Sequence, residues 1–108
     1  MKNNLKKLHI IGETACAHDG YFLKLIKMID SIGRSGAKSI QFRIFNHQNT
    51  ITKNHPDFNK IKKLVLNKRE WINCFNYTRK KFPKLEIISS IPSTEELIFS
   101  NNLNSDAF

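Results

Sequence analysis

The sequence contains no long hydrophobic run, and each of its apolar stretches extends over only a few residues. A helix that crosses a bilayer needs about 20 predominantly apolar residues, so none is expected here. The basic N-terminal segment is followed by an apolar stretch that stops at Glu13, which falls short of the hydrophobic region of a secretory signal peptide. We therefore expect a cytoplasmic protein with no membrane partner.

Cysteine is equally scarce, and the two cysteines are Cys16 and Cys74. In a chain without a secretion signal, two cysteines are more often reduced thiols than a disulfide, so both are predicted to be free. Glycine is scarce too, and the four glycines do not form the glycine-rich loop that cradles phosphates. This absence excludes that class of phosphate site.

Acidic side chains are outnumbered two to one, since 18 Lys and Arg residues stand against 9 Asp and Glu residues, for a formal net charge of +9. A charge of this sign is compatible with binding to a phosphate backbone. The lysines are scattered along the chain, however, and helical spacing places most of them on solvated faces. A basic nucleic-acid-binding domain therefore stays open as an alternative that the charge pattern does not favour.

The remaining composition is that of one folded domain. With 40% apolar residues in 108, the chain has enough Ile, Leu and Phe to form a hydrophobic core. The length corresponds to a single domain over residues 1–108, near the small end of the usual range.

Three short β-rich segments are predicted as strands, at residues 8–14, 39–45 and 85–90. The middle one is typical of a strand with one buried face, because Ile40, Phe42 and Ile44 alternate with polar residues. The connection 46–66 lacks a clean periodicity. We predict a loop there, with one short helix after Pro56.

Amphipathic patterns predict a helix after each of the three strands. The first helix follows Asp19, its predicted N-cap, and closes at Gly33 or Gly36. The second and third begin with capping-box patterns at residues 67–70 and 93–96, in which a cap side chain and an acidic side chain three residues later exchange hydrogen bonds with the backbone.

Residues 105–108 are predicted to open a fourth strand, so the order is β-α-β-α-β-α-β. Strands that alternate with helices indicate an α/β fold with a parallel sheet and right-handed crossovers. An eight-unit (β/α)8 TIM barrel takes about 250 residues, or about 31 per unit. The chain therefore fits a partial (β/α)8 barrel of about three and a half β/α units.

Ligands gather at the carboxyl ends of the strands in parallel β/α folds, and this sequence places polar residues there. Glu13 requires a partner, because an unpaired carboxylate is costly to bury. It either pairs with Arg43 on the neighbouring strand or accepts hydrogen bonds from the hydroxyls of a polyol. His18 is either bonded to nearby backbone or placed at a ligand. Cys16 and His18 form a close pair without the spacing of a metal site.

Several segments resemble the start of the sialic acid synthases. Residues 10–20 read IIGETACAHDG, where that family reads approximately IIAEIGxNHNG. Residues 35–43 read SGAKSIQFR, where the family reads AGADAVKFQ. A helix with Glu70-Trp71 and the strand end at residues 89–92 follow in the family's order. The resemblance covers nearly the whole chain.

The resemblance implies a (β/α)8 barrel enzyme, a C–C bond-forming transferase that condenses phosphoenolpyruvate with an N-acetylated sugar to make a nonulosonic acid. It also implies a divalent metal, Mn or Mg, and a homodimer. Glu13 falls on the family's catalytic glutamate that faces the sugar. Gln41 and Arg43 fall on its lysine and glutamine, and with His18 and Ser90 they are the implied substrate-binding residues.

The family's metal-binding histidines, a further catalytic carboxylate and a C-terminal antifreeze-like domain would lie beyond Phe108. We therefore expect a truncated N-terminal portion of a sialic acid synthase-like barrel, inactive alone and without metal ligands of its own. The alternative is a non-enzymatic remnant or binding module that pairs with a complementary chain. An open parallel sheet, with its last strand edge uncovered, favours such assembly.

Overall fold

The computed structural model describes residues 8–108, which form a parallel three-stranded sheet covered by helices on one face. The strands lie in the order β1 (Ile11–Ala15), β2 (Ser39–Arg43) and β3 (Glu86–Ser90). The helices are α1 (Phe22–Arg34), α2 (His47–Thr50), α3 (Phe58–Lys62), α4 (Lys68–Lys81) and α5 (Thr94–Asn102). The predicted α/β class with parallel strands is confirmed.

Strict alternation along β2 gives the sheet two different faces. Ile40 and Phe42 are fully buried against the helices, whereas Gln41 is half-buried and Arg43 is exposed on the other face. The core behind the sheet is completed by side chains from α1 and α4, among them Leu25, Ile29, Trp71, Cys74 and Phe75. The opposite face is left open, as the inward face of the predicted partial barrel would be.

The start of α1 differs from the prediction. Its N-cap is Tyr21, which makes no side-chain capping bond, and Asp19 is therefore not the cap. Asp19 and Gly20 both adopt left-handed backbone conformations, with φ of 55° and 81°. This turn carries Asp19 away from the first helical N–H groups, and its carboxylate pairs with Lys24 at 2.5 Å instead. Two local left-handed residues thus override a favourable cap residue.

The connection between β2 and α4 also differs, because it contains two short helices, α2 and α3, where one was predicted. The Asn46 side chain caps α2 by accepting a hydrogen bond from the backbone N–H of Gln48 at 3.1 Å. Helices of one turn bury too few side chains to leave a periodic signal in the sequence.

The two predicted capping boxes have different outcomes. At α4 the box is present: Asn67 Oδ1 accepts from the Glu70 N–H at 2.8 Å, and Glu70 Oε1 accepts from the Asn67 N–H at 3.0 Å. At α5 the cap bond from Ser93 to the backbone is absent. The buried Glu96 carboxylate accepts from the Ser93 hydroxyl and from the Asn46 N–H, and so ties α5 to the end of β2.

The segment predicted to open a fourth strand, residues 105–108, forms one isolated parallel bridge with β3. Ala107 bridges Ile88 in parallel, and the Ser89 N–H donates to the Ala107 carbonyl at 3.0 Å. The Asp106 carboxylate fixes this segment by accepting from the Ile87 N–H at 2.8 Å and from Arg79 at 2.7 Å. None of the helices among the described residues is long and apolar enough to cross a bilayer.

Candidate functional site at the carboxyl edge of the sheet

Strand register brings four of the five predicted site residues to one edge and one face of the sheet. Glu13 lies beside Gln41 on β2, and Arg43 lies beside Ser90 on β3. Because all four point away from the buried side chains of their strands, they share the open face. The fifth, His18, lies elsewhere.

The Glu13 carboxylate joins the polar side chains of this edge. Its Oε1 atom lies 3.7 Å from Arg43 Nη2 and 3.4 Å from Gln41 Nε2. The Glu13–Arg43 ion pair, one of the two alternatives for Glu13, is therefore present. Both charged side chains are about half exposed, at 46% and 49%. An exposed pair of this kind contributes little to stability, so either partner can exchange the contact for a ligand at small cost.

A β-bulge shapes the end of β1. The register with β2 shifts between Glu13 and Ala15, and Ala15 adopts φ of 46°, which is uncommon for a residue with a side chain. Thr14 is buried beneath the bulge, where its hydroxyl donates to the Gln41 carbonyl at 3.1 Å. Beyond the bulge, Cys16 reaches the wall of the adjoining cavity. It is a free thiol, as predicted, and so is the buried Cys74.

A cavity of about 290 Å³ adjoins this edge, and we call it the Arg43 cavity. Its wall consists of Cys16, Arg43, Phe45, Thr50, Ile61, Ser90, Ile91 and Pro92. Arg43 supplies the charge of this wall, and Ser90 and Thr50 supply hydroxyls. Such a mixture of apolar surface with a few convergent polar groups is typical of a small-molecule site.

Among the wall residues that sequence reasoning did not single out, Thr50 and Ile61 lie farthest along the chain from the strand ends. They come from α2 and the short helix α3, within the connection between β2 and α4. The signal that could have found them is the length of that connection, since long loops in compact domains often serve a site.

His18 is buried behind the β1–α1 loop against α4, away from the Arg43 cavity. Its ring is 0% exposed and meets Trp71 edge to face, with the ring centroids 6.4 Å apart. Nδ1 accepts from the Gly20 N–H at 2.9 Å, so the proton of the neutral ring lies on Nε2. Burial lowers the pKa of His18 below 6.5, against the opposing effect of nearby Asp19 and Glu70. The backbone-bonded interpretation is the one present here.

The buried neutral state of His18 predicts a pH dependence of stability. His18 binds a second ring proton less well in the folded chain than in the unfolded chain. The contribution of His18 to the stability of the fold is therefore complete above pH 6.5 and decreases as the pH falls below 6.5. The urea midpoint should therefore fall between about pH 7.5 and about pH 5.5, and His18→Gln should reduce that difference. His55 is exposed, so His55→Gln is the control and should keep the wild-type difference in urea midpoint between the two pH values. An unchanged difference in His18→Gln would contradict the assignment.

The described part of the chain does not offer a metal centre. Within residues 8–108, no three His, Cys, Asp or Glu side chains lie close enough to hold an ion. The divalent metal that the resemblance implies therefore does not fit these residues as a bound group.

Comparison with known proteins identifies the fold. No protein-family model matches the chain, and no curated protein matches it. Among solved structures, it is similar to the crystal structure of N-acetylneuraminic acid (sialic acid) synthetase from Leptospira borgpetersenii serovar Hardjo-bovis in complex with citrate. The TM-score is 0.81 at 20% sequence identity, over 91% of this chain and 34% of that one. At this identity the likeness shows the fold, and the chain spans about a third of the synthetase. The expected partial barrel is consistent with it.

Proposed function

We propose that this chain carries part of the substrate site of a sialic acid synthase-like enzyme, which joins phosphoenolpyruvate to an N-acetylated sugar in carbohydrate biosynthesis. The observation that carries the proposal is the contact of Glu13 with Arg43 and Gln41 beside the Arg43 cavity. The fold shared with a sialic acid synthetase supports it, as does the position of this group, because β/α barrels bind substrates at the carboxyl edge.

Arg43 is the residue proposed to bind phosphoenolpyruvate. A guanidinium matches the geometry of a carboxylate or phosphate with two parallel N–H donors, and such charge-assisted bonds are among the strongest in proteins. Gln41 is neutral where the resemblance has a lysine, so the positive charge comes from Arg43, two residues along the same face. Ser90, in register with Arg43, adds a hydroxyl donor.

Glu13 is the residue proposed to orient the sugar. As an ionised carboxylate it accepts hydrogen bonds from hydroxyl groups, and its contact to Arg43 is released when the guanidinium binds an anion. The proposal for these residues includes no metal-dependent step. We also propose that the 108-residue chain alone forms no nonulosonic acid, since it spans 34% of the synthetase whose fold it shares.

Titration calorimetry of the purified chain with phosphoenolpyruvate tests the proposal. We expect binding by the wild type and much weaker binding by Arg43→Gln, which removes the cation but keeps hydrogen-bond donors at this position. Arg34→Gln is the matched control, because Arg34 is exposed at the end of α1, near the opposite edge of the sheet. It removes the same charge and should leave binding unchanged. Equal losses in both variants would show only a response to net charge and would refute the assigned site.

A further inference from the structure

A second cavity, of about 250 Å³, lies between the amino-terminal end of α4, the segment after β2, and α5. We call it the α4–α5 cavity. Its wall includes Phe45, His47, Lys68, Trp71, Glu95 and Phe99. All of these residues lie in the described part of the chain. The proposed function makes no use of it apart from Phe45, which also lines the Arg43 cavity.

The floor of this cavity is apolar and fixed. Trp71 is 3% exposed, and Leu66 and Ile44 are also buried. Trp71 packs against Phe42 with their ring centroids 5.6 Å apart, so the indole cannot easily collapse into the space. A cavity of about 150 Å³ holds benzene, and in proportion this one suits a ligand of about ten non-hydrogen atoms with an apolar group.

The rim carries opposite charges. Lys68 and Glu95 are both exposed and both line the cavity, yet within residues 8–108 no ion pair joins them. Lys68 Nζ lies 5.7 Å from the centroid of the Phe99 ring, and Glu95 Oε2 accepts a bond from the Asn49 side chain at 2.8 Å. One cation and one carboxylate on the rim thus complement a ligand with both charges.

His47 adds a polar atom in need of a partner. Its Nδ1 is buried and makes no hydrogen bond to the described residues. The ring is held edge to face against Phe58, with the centroids 5.2 Å apart. Buried polar atoms almost always have a hydrogen-bond partner, so His47 Nδ1, in a residue of this wall, has the capacity for one further bond.

We propose that the α4–α5 cavity binds a small apolar α-amino acid. The ligand carboxylate pairs with Lys68, its ammonium group pairs with Glu95, and its side chain packs on Trp71 and Phe99. His47 Nδ1 bonds one of the two charged groups. A plain apolar molecule would form no polar contact with Lys68, Glu95 or His47 Nδ1. An ion lacking an apolar group would leave the floor uncovered. An apolar amino acid covers the apolar floor, complements both rim charges and offers a bond to His47.

The single tryptophan of the chain makes the test specific, because Trp71 forms the floor of the cavity. The wild-type chain is titrated with L-leucine, followed by Trp71 fluorescence and independently by calorimetry. We expect saturable binding with a Kd of about 1 mM or tighter. The probes 3-methylbutylamine, which lacks the carboxylate, and 4-methylpentanoate, which lacks the ammonium group, should each bind about tenfold more weakly. Equal binding of either analogue would overturn the proposal.

Variants identify the charged contacts. Lys68→Met and Glu95→Gln change exposed side chains and should each weaken L-leucine binding about tenfold. Lys84→Met is the control, because Lys84 is exposed in the turn before β3, at the far edge of the sheet. It should bind as the wild type does. Absence of saturation in both measurements at about 20 mM, or wild-type binding by Lys68→Met and Glu95→Gln, would also overturn the proposal.

Discussion

Gly20→Ala is expected to destabilise the chain by about 3 kcal/mol or more, through two additive causes. The backbone at Gly20 has φ of 81°, a conformation that side chains disfavour. A β-carbon at this position would also overlap the backbone carbonyl oxygen of Lys63, which has no rotamer by which to move away. The β1–α1 turn and the C-terminal end of α3 would have to separate. The urea midpoint measures the loss.

Gly36→Ala is the matched control. Gly36 has almost the same conformation, with φ of 86°, but an added β-carbon there meets no atom within 4 Å. Gly36→Ala should therefore lower the free energy of unfolding only through the unfavourable backbone conformation, by about 1–2 kcal/mol. Similar losses in the two variants would show that the contact between Gly20 and Lys63 does not hold the loop, and would contradict this part of the fold.

Phe42→Ala is expected to cost about 3–5 kcal/mol, which is a large share of the stability of a small domain. Phe42 is fully buried on the central strand. Its ring lies between Trp71 and Phe75, at a centroid distance of 5.6 Å from each. Truncation would open a cavity under the whole sheet, because α4 cannot move inward without breaking its other contacts. Chemical denaturation followed by circular dichroism measures the change.

Phe108→Ala provides the comparison, since the same atoms are removed from a ring that is 55% exposed. It should change stability by about 0.5 kcal/mol or less. If the two alanine variants lost similar stability, the core would not lie between β2 and α4 as described.

Local patterns in the sequence were sufficient to predict the three strands, the three longer helices and one face of the site. The alternation of Ile40 and Phe42 with Gln41 and Arg43 determines which side chains reach the open face. The same alternation of side chains along β1 places Glu13 on the open face. The contact between Glu13 and Arg43 could therefore be predicted from strand order and register. The capping box at Asn67 was also predictable, because its partners are only three residues apart.

Features that depend on distant contacts could not be predicted in this way. Glu96 has the spacing of a capping box, but Asn46, 50 residues away, gives it a tertiary hydrogen bond. His18 has the position of a ligand-binding residue, but the indole of Trp71 covers it. Asp19 is a good N-cap by type, and a left-handed turn removes it from the helix. In each case the decisive neighbour or backbone conformation leaves no periodic signal nearby.

The connection 46–66 links the two proposed sites. Its helices supply Thr50 and Ile61 to the Arg43 cavity, and its ends supply His47 and Leu66 to the α4–α5 cavity. Phe45, two residues after β2, lines both. The two proposals can nevertheless be tested independently. Their probes carry different charges, and no residue is substituted in both tests.

The most direct test of the account is the ratio of the dissociation constants of phosphoenolpyruvate for Arg43→Gln and the wild-type chain. Low ionic strength is the appropriate condition, because salt screens exposed charges such as Arg43. We predict a ratio of about 10 or more, with a ratio of about 1 for Arg34→Gln. A ratio of about 1 for Arg43→Gln would contradict the claim that the carboxyl edge of this sheet is an anion-binding substrate site.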